Sequence, residues 1–237
     1  MLLYYIRHAE PIYSPDSLTE KGKKQAASLA ERLSNSGIDE IYSSSSNRAL
    51  QTAEPLAKIL KKEIKILDFC NEGYVFQEFT VTENSNLKWA YHSENMLKLF
   101  SSEEVLKLGF NWYEHPAFKN CKFGDGIKRI GENTDKFLAE LGYIHDTENH
   151  IYRAHNPNEK RIALFAHEGF SHVFLPYILD IPYPYFAKFE YEHSGISVIK
   201  FDTFSDNTAV ARLLQYSSDA HLYAHGPDHL YNGNLKL

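Results

Sequence analysis

The sequence is poor in cysteine: only Cys70 and Cys121 occur among 237 residues. They lie far apart and neither belongs to a Cys-x-x-Cys pair. That argues against a disulfide framework or a zinc ribbon, and for a reducing, cytoplasmic setting. Long apolar runs are lacking too. The longest, Val173 to Ile181, is interrupted by Pro176 and Asp180, so no segment is expected to span a bilayer. The opening Met1-Leu2-Leu3-Tyr4-Tyr5-Ile6 is apolar but too short for the core of a signal peptide, and no basic flank precedes it. Nor is there a Lys/Arg-rich run. With 25 Lys+Arg against 31 Asp+Glu the formal net charge is −6, so nucleic acid and anionic membranes, which need basic surface, are excluded as expected partners.

What is present suits a soluble globular protein. Apolar residues make up 43% and charged residues 24%, enough to bury a core and enough to exclude disorder, collagen and coiled coil. At roughly 150 residues per domain the length allows one large domain or two small ones. Leu2 to Ile6 reads as a strand buried on both faces. Ser17-Leu18-Thr19-Glu20 has the spacing of a capping box. It precedes a helix whose apolar face is Ala26, Leu29, Ala30 and Leu33, with Gly37 as the stop. Ile38 to Tyr42 returns as a strand. A serine loop ending at Asn47 then opens a second helix, in which Pro55 predicts a kink or break near Glu54. Ile64 to Leu67 is a third strand.

This alternation is the pattern of a doubly wound α/β sheet. It resumes at Arg161–Ala166, followed by a helix over about 170–179 and strands at Ile196–Phe201 and Ala209–Leu214. The stretch over about 74–160 is too long for a loop. Its aromatics, and a helical pattern near Ile127–Leu141, mark an ordered insertion.

Chemistry-bearing residues cluster at the strand ends. Arg7-His8-Ala9-Glu10 follows the first strand, Arg48 the serine loop after the second, and His167 the strand ending at Ala166. In open α/β sheets ligands bind beyond the carboxyl ends of the strands. Two guanidinium forks and a helix N-terminus make a pocket for a phosphate dianion. An unprotonated imidazole inside it is a nucleophile, and a second histidine can donate to the same oxygens. Such a site needs no metal if the arginines neutralise the equatorial oxygens.

These blocks resemble those of the histidine phosphatase superfamily (phosphoglycerate mutase-like). The resemblance rests on Arg7-His8-Ala9-Glu10, on Ser44-Ser45-Ser46-Asn47-Arg48-Ala49-Leu50-Gln51-Thr52-Ala53 and on Phe165-Ala166-His167-Glu168-Gly169, with Asp219-Ala220-His221-Leu222 as a fourth block. It implies one domain over 1–237, a three-layer α/β/α sandwich with a mostly parallel sheet and a largely helical insertion after the third strand. His8 would be the phosphorylated nucleophile, with Arg7, Arg48 and His167 holding the phosphoryl group and Ser44 a further contact. The family's glycine in the first block is Ala9 here. A general acid is expected just after the third strand: Glu72 is the candidate and Glu78 the alternative. The implied activity is metal- and cofactor-independent hydrolysis of a small phosphomonoester. Mutases of the family carry a Trp-Asn pair and a Glu-Arg-His-Tyr stretch where this chain has Pro11-Ile12-Tyr13-Ser14 and Glu72-Gly73-Tyr74. That favours phosphatase over mutase, with a non-catalytic phospho-ligand module as the other alternative.

Two signals are discounted. His167 to His172 has one residue too many for a zinc-protease HExxH pair, which puts the two rings about 140° apart on a helix; His172 is expected to pack locally. His221, His225 and His229, near Asp219 and Asp228, are spaced by four, but Gly226-Pro227 interrupts the helix a metal site would require. His225 and His229 belong to a polar tail over about 223–237. In the insertion, Lys88, His92, Lys98, Lys128 and Arg129 are candidates for contacts with further anionic groups.

Overall fold

A computed structural model describes residues 1–223 of the chain. His225, Asp228, His229 and nearly all of the tail lie outside them. The first strand, β1 (Leu2–Arg7), is followed by a hairpin of β2 (Pro11–Tyr13) and β3 (Asp16–Leu18), helix α1 (Glu20–Ser34), strand β4 (Glu40–Ser43), helix α2 (Asn47–Leu60) and strand β5 (Ile64–Ile66). The cap of α1 is Thr19 rather than the expected Ser17. The Thr19 hydroxyl accepts from Gly22 N–H at 2.9 Å, because Ser17 is already paired in the β2–β3 hairpin and donates to Pro15 O. Helix α2 runs through Pro55 without a break. The missing N–H leaves the Gln51 carbonyl without its helical partner, but Ala53, Leu56 and Ala57 are buried on both sides of the proline and hold the helix against the sheet.

The insertion then contributes α3 (Glu72–Phe79), a hairpin of β6 (Thr80–Glu83) and β7 (Asn86–Trp89), the helices α4 (Glu94–Phe100), α5 (Glu103–Leu106) and α6 (Phe123–Glu140), and a second hairpin of β8 (Tyr143–Asp146) and β9 (Ile151–Ala154). The chain closes with β10 (Arg161–Ala166), α7 (Glu168–Ile178), α8 (Tyr183–Phe186), β11 (Ile196–Thr203), β12 (Thr208–Ser218) and α9 (Ala220–Tyr223).

The eight-stranded sheet has the order β5-β4-β10-β1-β11-β12-β9-β8. Strands β5, β4, β10 and β1 are mutually parallel. β11 is antiparallel to β1, and β12, β9 and β8 alternate after it, so only β11 and β9 oppose the common direction. The hairpin β8–β9 is the part of the insertion that the sequence reading did not resolve: it extends the central sheet instead of forming a separate helical unit.

Side-chain alternation divides the core into layers. Leu3 and Tyr5 of β1, with Ile162 and Leu164 of β10, face α6, α7 and the insertion; Ile6, Ala163 and Phe165 face α1 and α2. The result is the three-layer α/β/α sandwich. Each fully buried Leu, Ile or Phe is worth about 1.5–3 kcal/mol relative to exposure, so truncating Leu164 to alanine is a core-cavity change of about 2–5 kcal/mol. No helix among the described residues is long and apolar enough to cross a membrane. Both cysteines are unpaired.

The insertion is tied to the sheet by His145 of β8. Its ring stacks on Tyr152, with Nδ1 3.2 Å from Asp135 of α6 and Nε2 3.2 Å from Asp180, just past α7. Burial alone would lower the imidazole pKa, but the hydrogen bonds to Asp135 and Asp180 raise it to about 9. Because the folded value lies above that of the unfolded chain, the stabilisation is complete below about pH 6.5 and is lost as pH climbs through about 9. Unfolding free energy is expected to fall by about 1–2 kcal/mol across that window after solvent screening. Asn accepts the left-handed backbone of position 180 (φ 53°), so Asp180→Asn tests the pairing without straining the chain. Denaturant titrations at pH 6.5 and 9.5 should show a flatter pH dependence in the variant, and an unchanged dependence contradicts this account.

Candidate active site

Parallel pairing brings three loops together at one rim of the sheet. Arg7 is in register with Ala166, and Phe165 with Ser43, so the residues that follow, His8, His167 and Ser44, emerge side by side. The backbone continues the pairing one step further: His8 N–H donates to Ala166 O and Ser44 N–H to Phe165 O, each at 2.9 Å. Ala9 is fully buried, and its N–H donates to Thr52 Oγ1 at 3.0 Å, tying the loop after β1 to α2.

His8 is almost completely enclosed. Its Nδ1 lies 2.8 Å from the Ala9 carbonyl, a pure acceptor, so the proton sits on Nδ1 and Nε2 carries the lone pair. Burial first, then the proximity of His167, Arg7 and Arg48, push its pKa well below the ordinary imidazole value. The ring is therefore neutral at pH 7.

Arg7 is buried, and its Nη1 donates to the Tyr191 carbonyl and pairs with Glu168 Oε2 at 3.1 Å. Burial alone would weaken its charge, but Glu168 and then Glu72 reverse that and keep it protonated. Arg48, in the first turn of α2, reaches Asp16 Oδ1 with Nη1 and Glu72 Oε2 with Nη2, both at 2.9 Å. Its Nε is buried without a partner. Glu72 opens α3, and its Oε1 accepts from Gly169 N–H, in the first turn of α7, at 3.0 Å. Burial raises the Glu72 pKa, but His167, Arg48 and Arg7 together outweigh it and hold the carboxyl below the usual range.

His167, the N-cap of α7, turns Nε2 to the hydroxyls of Ser44 at 2.9 Å and Ser46 at 3.2 Å. Ser46 is the N-cap of α2 yet makes no capping bond with its side chain; its hydroxyl serves the histidine instead. His167 Nδ1 has no hydrogen bond and stands 3.6 Å from Glu72 Oε2. Burial, opposed by Glu72 but assisted by Arg48, depresses this imidazole to about 4. The His8 and His167 rings are 5.2 Å apart. All five residues singled out from the sequence, Arg7, His8, Arg48, Glu72 and His167, thus converge, with Ser44 beside them. N-termini of two helices, α2 and α7, point at the same place, which favours negative charge there.

Other candidates are placed elsewhere. Glu78 is held by Arg129 in a two-pronged pair at 2.6 Å, outside the lining of the pocket. Lys88 pairs with Glu83 and Lys98 with Glu94. Of the insertion's cationic candidates, only His92 lines the pocket. His172 packs locally, stacked on Tyr91 at 3.7 Å, and His221 meets Ser194 and Arg32.

The sequence reading missed His193, Glu168, Asp16 and the aromatic rim. His193 lies 5.7 Å from His8, ring to ring, and burial drives its pKa down to about 2. It precedes β11, and Ser194 N–H donates to the His8 carbonyl at 3.1 Å. Attention to strand C-termini passes over it, because β11 is antiparallel and begins at the rim where the parallel strands end. The polar stretch Tyr191-Glu192-His193-Ser194-Gly195 before a buried strand was the available signal.

A cavity of about 520 Å³ adjoins this constellation; the enclosed His8 and His167 are not part of its lining. Its floor includes Arg7, Arg48, Glu72 and His193; its walls are Tyr13, Phe76, Trp89 and Tyr91. Ligand atoms of His8, Glu72 and His167 lie within 4.8 Å of one another, a spacing a cation can use. Arg48 already engages Glu72, however, and Arg7 adds a second buried positive charge, so the electrostatics suit an anion better.

Known proteins resemble this chain in sequence and in fold. The family model described as histidine phosphatase superfamily (branch 1) matches residues 3–91. Phosphoserine phosphatase 1 of Hydrogenobacter thermophilus is 28% identical over 162 residues, 65% of this chain and 70% of that protein. Among solved structures, a phosphoserine phosphatase mutant of Entamoeba histolytica in complex with phosphoserine superimposes with TM-score 0.60 at 19% identity, covering 93% of this chain and 98% of the other. A mycobacterial glucosyl-3-phosphoglycerate phosphatase gives TM-score 0.61 at 17% identity over 92% and 98%.

Proposed function

We propose that the chain, whose residues 3–91 match the histidine phosphatase superfamily (branch 1) model, is a member of that superfamily and hydrolyses small phosphomonoesters through a phosphohistidine on His8. One observation carries the reading: a neutral, buried imidazole, its Nδ1 anchored on a carbonyl, stands among two arginines and two helix N-termini.

In the first step His8 Nε2 attacks phosphorus and the bond to the leaving oxygen breaks. Arg7, Arg48 and His167 take up the charge of the equatorial oxygens, with Ser44 beside them. Glu72 passes a proton to the leaving oxygen. In the second step water attacks the phosphohistidine and Glu72 accepts the water's proton. The N–P bond then breaks, inorganic phosphate leaves, and neutral His8 is restored.

Glu72 is ionised without substrate because Arg48 and His167 stabilise its charge. An arriving phosphate recruits Arg48 and adds negative charge next to the carboxyl, both of which raise its proton affinity. The proton arrives with the substrate, whose second ionisation falls near pH 6. For alkyl phosphates kcat/KM should therefore decline above about pH 6, while neutral His8 sets no acid limb until well below the ordinary imidazole range. A phosphomonoester panel assayed with EDTA present, across pH, tests the proposal. Activity that survives EDTA and has an acidic optimum is expected, and activity abolished by EDTA contradicts the metal-free chemistry.

A further inference from the structure

We propose, building on the phosphatase reading, that the preferred substrate presents an uncharged, ring-bearing leaving group, and that Trp89 and Phe76, with Tyr91 backing the indole, select it. The phosphate-binding floor of the cavity holds Arg7 and Arg48, the only Lys or Arg among the described residues lining it. A phosphoryl group occupies both. The nearby Lys and Arg side chains of the insertion are committed elsewhere, Lys88 to Glu83, Lys98 to Glu94 and Arg129 to Glu78, and His92, which does line the cavity, faces Glu190 at 3.9 Å. A second anionic group on the substrate, such as an α-carboxylate, would meet Glu72 and Glu168 in the lining without a Lys or Arg of its own.

The walls offer aromatic faces instead. Trp89 stacks on Tyr91 at 5.4 Å and meets Phe76 edge-on at 5.1 Å, while Tyr91 is backed by His172 at 3.7 Å. Both nitrogens of His172 lack partners, so it serves here as an apolar plate that fixes the Tyr91 ring. Tyr13 and Phe76 remain 68% and 38% exposed at the mouth, apolar surface that a planar ligand would cover. The wall is built against the catalytic floor. A Cβ on Gly169 would come within 2.5 Å of the Trp89 ring, so only glycine lets the indole lie on the first turn of α7. The same glycine's N–H holds Glu72. The aromatic wall thus stands one residue's width from the proposed proton donor, where the leaving group must pass.

The test compares three alkyl phosphates whose leaving oxygens are chemically alike: 2-phenylethyl phosphate, n-butyl phosphate and O-phosphoserine. Intrinsic reactivity then does not mimic selectivity. Wild type should favour the phenylethyl ester over the butyl ester by about tenfold or more in kcat/KM, chiefly through KM. It should favour it over phosphoserine by a larger factor. Trp89→Ala should bring the phenylethyl-to-butyl ratio close to one. Phe76→Ala, at an exposed position that places little demand on folding, should lower the ratio several-fold. A wild-type ratio near one, or phosphoserine as the best of the three, overturns this inference and leaves the phosphatase reading standing. Failure to hydrolyse any of the three overturns both.

Discussion

His8→Ala lowers phosphomonoesterase turnover by at least about 10³-fold, on alkyl and aryl esters alike, because no other group in the pocket can accept the phosphoryl group from the same position. His167 is the nearest imidazole, but its Nε2 is turned to Ser44 and Ser46 and its Nδ1 faces Glu72. His193 is nearly as close to His8, at 5.7 Å ring to ring, yet it is held by a separate loop before β11. The variant keeps Arg7, Arg48 and both helix N-termini. It should therefore still bind inorganic phosphate, measured by titration calorimetry, while steady-state assays show the loss. Residual turnover within tenfold of wild type removes His8 from the chemistry.

Glu72→Gln separates proton transfer from phosphoryl transfer. The amide can still accept from Gly169 N–H but can neither donate a proton to a leaving alkoxide nor neutralise Arg48. In kcat/KM, which reports phosphoenzyme formation and not the later hydrolysis that also uses Glu72, the expected loss is about 10²–10³-fold for alkyl phosphates and only a few-fold for 4-nitrophenyl phosphate, whose leaving group departs as a stabilised anion. The ratio of the two losses is the informative quantity, since a disturbed Arg48 would depress both substrates equally. Equal losses would reassign Glu72 to positioning Arg48. Glu78 is no substitute, because Arg129 occupies both of its oxygens outside the pocket.

Much of the site was legible in the sequence because its residues follow buried parallel strands, and such strands announce themselves as short apolar runs that end in charge. Arg7, His8 and His167 are of this kind. Arg48 was legible as a polar residue opening an amphipathic helix. Glu72 was a matter of proximity to the third strand, and its fork to Arg48 and Gly169 could only come from coordinates. His193 was illegible for a topological reason: its strand runs the opposite way and contributes its start to the rim. Glu168 and Asp16 went unmarked because their function is to neutralise arginines supplied by distant segments.

In the fold, α1 and α2 were clear from periodicity, while the cap of α1 was misplaced because the Ser17 hydroxyl is claimed by a local hairpin. The β8–β9 pair escaped because four-residue strands at a sheet edge, with His145 and Arg153 among them, lack an apolar run. Its place is set by β12 and by the Asp135–His145–Asp180 contacts, of which the pairing with β12 and the contact to Asp180 join segments distant in sequence.

The most direct test is to mix enzyme with a limiting amount of substrate, quench within the turnover time under alkaline conditions, and map the phosphoryl group by mass spectrometry. The account predicts a base-stable, acid-labile phosphoryl group on His8. A phosphoryl group on any other residue, or a complete single turnover in which His8 is never labelled, would contradict it.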